Sequence, residues 1–113
     1  MKNYVPKQGD IIFGNFSPTV GKEKTGKRPA LVVSIDLLSK TSSFVLVAPI
    51  TTGKYDYPTH VSLDDRTKTK GVIHVEQLRC FDYTGREIIK IETCPMDIRL
   101  KVHECIATLT NVI

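Results

Sequence analysis

One boundary constrains the fold of this 113-residue chain more than any other: the hydrophobic period changes at Pro95. Beyond it Ile98, Val102, Ile106, Leu109 and Ile113 recur at spacings of four, four, three and four, which is one stripe of an α-helix. Pro95 suits the first helical position, and Asp97 puts negative charge near the helix's positive end. Cys94 is a poor cap, so Thr93 is expected to serve instead. Ahead of the boundary the apolar residues come in short β-branched and aromatic runs between turn formers. Strands are predicted over 10–16 (bent or closely approached at Gly14), 30–34, 43–50, 60–63, 71–75, 77–82 and 88–92. A single helical turn is predicted over 35–41. The run SFVLVAPI, Ser43 to Ile50, is the strongest strand signal. Its Pro49 cannot donate to a ladder, so the strand must end, bulge or meet an edge there. The polar segment 64–70 reads as a hairpin, and Tyr83-Thr84-Gly85 as another turn. The expected fold is mainly β within the α+β class: a small curled antiparallel barrel or sandwich with one C-terminal helix packed on it. The whole of 1–113 forms one domain.

Composition narrows the function classes. An apolar fraction of 41% is that of a globular chain. No apolar run reaches membrane-spanning length, and the opening MKNYVPK lacks the apolar core of a signal peptide. Cys80, Cys94 and Cys105 are odd in number and form no C-x-x-C pair. That argues against a disulfide scaffold or a zinc site, and suits a reducing cytoplasm. The net charge of +4 is modest, but its distribution is uneven. Lys22, Lys24, Lys27 and Arg28 fall in one segment, and Arg66, Lys68 and Lys70 in another. Brought together, they would track a phosphate backbone; apart, they are two solvated loops.

Three ordered blocks then carry a resemblance. They are Gly9-Asp10-Ile11 followed by PTVGKE (Pro18 to Glu23) and GKRPALV (Gly26 to Val32); VAPITT (Val47 to Thr52); and GVIHVEQLRCFD (Gly71 to Asp82). In this order and register the chain resembles the MazF/PemK toxins of bacterial toxin–antitoxin pairs. The resemblance implies an SH3-like barrel of the CcdB/PemK type, a homodimer, no cofactor or metal, and a cognate antitoxin that blocks the cleft with an extended tail. The implied activity is cleavage of single-stranded RNA, chiefly messenger RNA, at short sequences. The ribose 2′-hydroxyl attacks, leaving a 2′,3′-cyclic phosphate and a 5′-hydroxyl.

Such chemistry needs a base for the 2′-hydroxyl, an acid for the leaving oxygen, and donors for the charge of the phosphorane. The resemblance assigns Arg28 to the phosphate, where a planar guanidinium fork matches the oxygens. It assigns Thr51 a hydroxyl contact and gives Glu23 either the orientation of Arg28 or proton transfer. Thr52 is expected on the opposite face. One branch of the family uses a charged pair at the positions of His74 and Glu76, and a histidine where this chain has Lys22. His74 and Glu76 therefore stand either as an acid–base pair or as hydrogen-bonded strand residues. Lys22, Lys24 and Lys27, with Tyr55 and Tyr57 for base stacking, are the candidate RNA contacts. His60 and His103 fit no pattern and read as surface residues of a strand and the helix. Two other functions fit the fold: a non-catalytic SH3-like module for RNA or a protein tail, and a CcdB-like gyrase poison. The poison's C-terminal Trp-Gly-Ile is replaced here by Asn111-Val112-Ile113, with no tryptophan anywhere.

Overall fold

The structure, a computed structural model, describes residues 4–16, 26–53 and 57–112. The strands are β1 (Asp10–Asn15), β2 (Lys27–Val32), β3 (Phe44–Thr51), β4 (His60–Ser62), β5 (Val72–His74), β6 (Arg79–Asp82) and β7 (Ile88–Thr93). Two helices join them, α1 (Asp36–Thr41) and α2 (Met96–Leu109). All pairings are antiparallel, in the order β4-β5-β3-β2-β1-β7, with β6 also on β3. The sheet curls as an SH3-like barrel does but is not closed.

Strand β3 organises the rest. Leu46 uses both its backbone groups towards β2, accepting from the Val33 N–H and donating to the Ser34 hydroxyl. By alternation the odd-numbered residues address the other neighbour. On that side β6 pairs residues 44–47 and β5 pairs residues 50–51. Pro49 falls in the gap between them, so its missing N–H leaves no ladder bond unmade. The strand therefore runs on past the proline to Thr51.

The two faces of the sheet bury two apolar clusters. Ile11, Leu31, Val33, Ala48, Ile50, Ile73 and Val75 pack with Cys94, Ile98 and Val102, which seats α2. Ile12, Ala30, Val32, Val45 and Val47 pack with Phe16 and Phe81 on the other side. Each fully buried aliphatic side chain contributes about 1.5–3 kcal/mol. Ile98 and Val102 are the buried stripe of α2, and Ile106 packs beside them; Leu109 is 48% exposed, and Ile113 lies outside the described residues. Gly14 is a close approach as expected, since a Cβ there would meet the Glu87 carbonyl oxygen at 2.9 Å.

Several boundaries differ from the sequence reading: β2 spans Lys27–Val32 rather than 30–34, and β3 runs from Phe44 to Thr51 rather than over 43–50. Thr93 is spent in β7, and Pro95 is the N-cap of α2 rather than its first residue, its carbonyl accepting from Ile98 and Arg99 N–H. The 77–82 strand starts at Arg79, because Val75–Gln77 forms a 3-10 turn after β5.

Candidate functional site

Side-chain alternation places Arg28 and Thr51 on one face. In β2 the even residues Ala30 and Val32 join the second cluster, and in β3 the odd residues Val45 and Val47 do so. Arg28 and Thr51 continue these two rows. The β2–β3 ladder pairs Val32 with Val47 and Ala30 with Pro49. Carried two residues further, the same register sets Arg28 opposite Thr51. Both strands reach these residues, but the ladder stops before them, so the pair flanks the mouth where β2 and β3 part. Thr52 lines the opposite side, in a shallow depression with Phe13, Pro29, Lys68, Lys70 and Ile91.

The row continues across two more strands. Ile50 pairs with Ile73 and Thr51 with Val72, which puts His74 on the Thr51 face. Thr51 Oγ1 lies 2.8 Å from His74 Nε2. Gly71 makes this approach possible: its φ is +134°, and a Cβ there would fall 2.2 Å from the Thr51 carbonyl oxygen. His74 in turn pairs with His60 of the edge strand β4. Their rings stack with centroids 4.0 Å apart and planes 25° from parallel, and Tyr57 follows at 5.4 Å from His60. Neighbouring strands are ~4.8 Å apart, so Arg28, Thr51, His74 and His60 form a polar row across β2, β3, β5 and β4.

Glu76 closes the row from the 3-10 turn. Its Oε1 accepts from the Thr59 hydroxyl at 2.7 Å, and its Oε2 from His60 Nε2 at 3.1 Å. His74 Nδ1 lies 3.7 Å from the same Oε2 and 3.4 Å from Gln77 Nε2. Partial desolvation pushes the Glu76 carboxyl up, but the bonds from Thr59, the backbone and His60 outweigh it and hold the pKa below its ordinary value. Glu76 is therefore ionised at neutral pH. His74 and Glu76 come together through the 3-10 turn rather than along one strand.

His60 is a correction. Its side chain is 2% exposed and belongs to the cluster; it is not a strand-surface residue. His103 is partly exposed on α2. The sequence displays no metal-ligand cluster, yet the described residues gather one group of three: His60, His74 and Glu76, with ligand atoms within 4.8 Å of one another. Stacking sends the two in-plane lone pairs side by side rather than to a point. An ion at about 2.0–2.1 Å from both nitrogens requires one ring to turn out of the stack.

Of the remaining candidates, Glu23, Lys22, Lys24 and Tyr55 lie outside the described residues. Tyr57 is described and 53% exposed. Lys27 follows Arg28's neighbour rule and faces away from it, with Nζ 3.4 Å from Glu87 Oε1. In the second basic segment Arg66 is held by Asp64 and Asp97, at 2.8 and 3.0 Å. Concavity alone points elsewhere: a cleft of about 520 Å³ lies between Tyr4, Phe13, Lys27 and the 83–89 turn. The polar row outweighs it because it brings titratable groups into mutual contact.

Comparison with known proteins converges on one family. A family model described as a PemK-like, MazF-like toxin of type II toxin–antitoxin systems matches residues 7–110. The endoribonuclease toxin MazF of Escherichia coli K12 is 33% identical over 101 residues, 88% of this chain and 90% of that protein. The endoribonuclease EndoA of Bacillus subtilis is 39% identical over 83 residues, 69% of this chain and 72% of that one. Among solved structures, MazF of Deinococcus radiodurans superposes with a TM-score of 0.85 at 28% identity, covering 97% of this chain and all of that one. A MazE–MazF structure from the same organism gives 0.85 at 25% identity, covering 98% of this chain and 100% of that one.

Proposed function

The chain belongs to the PemK-like, MazF-like toxin family of type II toxin–antitoxin systems, and we propose that the polar row is the active centre of an endoribonuclease toxin. Its substrate is single-stranded RNA, chiefly messenger RNA, cut at a short sequence, so that translation and growth stop. The observation that carries this reading is the hydroxyl–imidazole pair Thr51–His74, 2.8 Å apart, on the face that Arg28 shares.

The proposed reaction is attack of a ribose 2′-oxygen on the adjacent phosphorus as the bond to the 5′-oxygen breaks. Arg28 holds the non-bridging oxygens and the charge they gain, a role worth ~3 kcal/mol in such sites. With its ring proton on Nδ1, which requires the Gln77 amide to turn its oxygen to that nitrogen, His74 accepts at Nε2 from the Thr51 hydroxyl. Thr51 can then take the 2′-proton as it passes its own to the imidazole. Ionised Glu76 beside Nδ1 steadies the imidazolium that results. Glu23 is the proposed partner of Arg28 or the donor to the leaving 5′-oxygen. Lys22 and Lys24 lend positive charge, and Tyr55 and Tyr57 stack unpaired bases; Lys27, turned to Glu87, is set aside from this role. No step draws on a metal.

The toxin works in the cytoplasm, pairs with a cognate antitoxin, and acts as a homodimer. Met96 and Leu100, one turn apart on α2 and 57% and 61% exposed, give a partner apolar surface to cover. No helix among the described residues is long and apolar enough to cross a membrane. The test is incubation of purified protein with single-stranded RNA in EDTA. Discrete fragments ending in 2′,3′-cyclic phosphate are expected; intact RNA at high protein excess would overturn the nuclease in favour of a binding module.

A further inference from the structure

We propose that His60 is a positioning residue of this centre: its imidazole holds Glu76 and His74 so that His74 keeps one tautomer, with Nε2 turned to Thr51. The inference rests on the ribonuclease reading for its kinetic arm only.

Strand β4 is three residues long and lies at the sheet edge. Val61 packs on the core and Ser62 is exposed, so β4 delivers one side chain to the row, that of His60. A polar ring at 2% exposure costs free energy unless its partners repay it. Here Nε2 bonds the carboxylate of Glu76 and the ring face lies on His74. Thr59 fixes the other carboxylate oxygen at 2.7 Å. Glu76 is thus anchored at both oxygens, with Oε2 at the edge of both stacked rings. The anchored carboxylate and the stacked ring together fix the plane of the His74 imidazole, with Nδ1 3.4 Å from the Gln77 amide nitrogen and 3.7 Å from Oε2, and Nε2 turned to Thr51. Without the stack, the His74 ring can turn about its last torsion, a broad two-fold well. From α2, Lys101, Glu104 and Cys105 face His60 across a groove on its far side; Tyr57 covers its other face.

The two contacts are separable. His60→Gln retains an N–H donor for Glu76 without the ring, His60→Phe retains the ring without the donor, and His60→Ala removes both. Imidazole nitrogen NMR of the RNA-free protein should show one neutral tautomer for His74 in the parent and a mixture in His60→Ala, with the donor-retaining Gln variant nearer the parent. In single-turnover cleavage the Ala variant should lose about 10- to 100-fold in kcat, as misplacement of a catalytic group does, with KM within about threefold. The rate–pH limb that reports His74 should shift with it. An unchanged His74 tautomer, or a fall in thermal stability with unaltered kcat and pH profile, would make His60 a packing residue and overturn the proposal. If the parent cuts no RNA, the ribonuclease reading fails instead, and the tautomer measurement still decides the role of His60.

Discussion

Two carboxylates, the buried Asp10 and the more exposed Glu76, meet opposite fates in this fold. Asp10 is 4% exposed at the start of β1. Its Oδ2 accepts from the Tyr4 hydroxyl and the Lys7 N–H, and Lys90 lies 3.4 Å from Oδ1. Burial first, and the Asp10 bond second, push the Tyr4 phenol above its ordinary pKa, so that donor keeps its proton. Its partners are a phenol, a backbone N–H and an ammonium, with no imidazole among them, and the arrangement ties the N-terminal segment to the sheet. Glu76 is instead one end of a series. Behind it come two imidazoles and a threonine hydroxyl, and the series ends on the face that carries Arg28. A closed set of donors stores stability, whereas an open chain of titratable groups can move a proton.

Substitution at the two ends separates these roles. Arg28→Ala should lower cleavage at least about 100-fold. Its melting temperature should match the parent's, because Arg28 is exposed and supports no core contact. Asp10→Ala should do the reverse. Stranding the Tyr4 and Lys7 donors costs about 2–3 kcal/mol of stability in urea titration, with kcat per folded molecule little changed. Equal loss of activity in both variants at full folding would erase the contrast.

Gly71→Ala should fall between. The new methyl meets the Thr51 carbonyl, and φ is already in the left-handed region. Both stability and cleavage should drop, and the Thr51 amide resonance should move more than that of Asp10. A neutral result would mean that β5 does not press on Thr51.

How much of this was legible beforehand depended on the range of the interaction. The β3 run and the α2 stripe follow from local period, whereas the facing of Arg28 and Thr51 was reached only through the family resemblance, because it depends on the β2–β3 register. The Pro49 gap does not follow from local period either, because it depends on where β6 ends and β5 begins. His60 was missed for a similar reason: the triplet His60-Val61-Ser62 has no pattern of its own. A signal did exist. The predicted hairpin at 64–70 is centred on residue 67, and antiparallel pairing about that centre sets 60 opposite 74, as observed. Pro95 was placed one position too far into the helix because Thr93 had a second use, in β7.

The smallest effect concerns three carboxylates away from the row, Asp64, Asp97 and the part-buried Glu92. Arg66 bonds hold Asp64 well below 3.8, at about 2, and the same guanidinium lowers Asp97. Backbone and Thr69 bonds outweigh desolvation to lower Glu92. A folded-state pKa below the unfolded one means that the unfolded chain binds more protons between them. Their stabilisation is complete above the unfolded values and is lost as pH falls from about 4 towards 2. The urea midpoint should be insensitive to these groups from pH 7 to 5 and then decline. Arg66→Gln should flatten that acid limb without touching cleavage.

The central claim is that RNA lies on the row of Arg28, Thr51, His74 and His60. The direct measurement is a backbone and imidazole NMR titration with a short RNA carrying a 2′-deoxy sugar at the cut site, which binds but cannot react. The largest shifts should cluster at Arg28, Thr51 and the two stacked histidines. Shifts confined to Tyr4 and the 83–89 cleft, with the row unmoved at saturation, would contradict it.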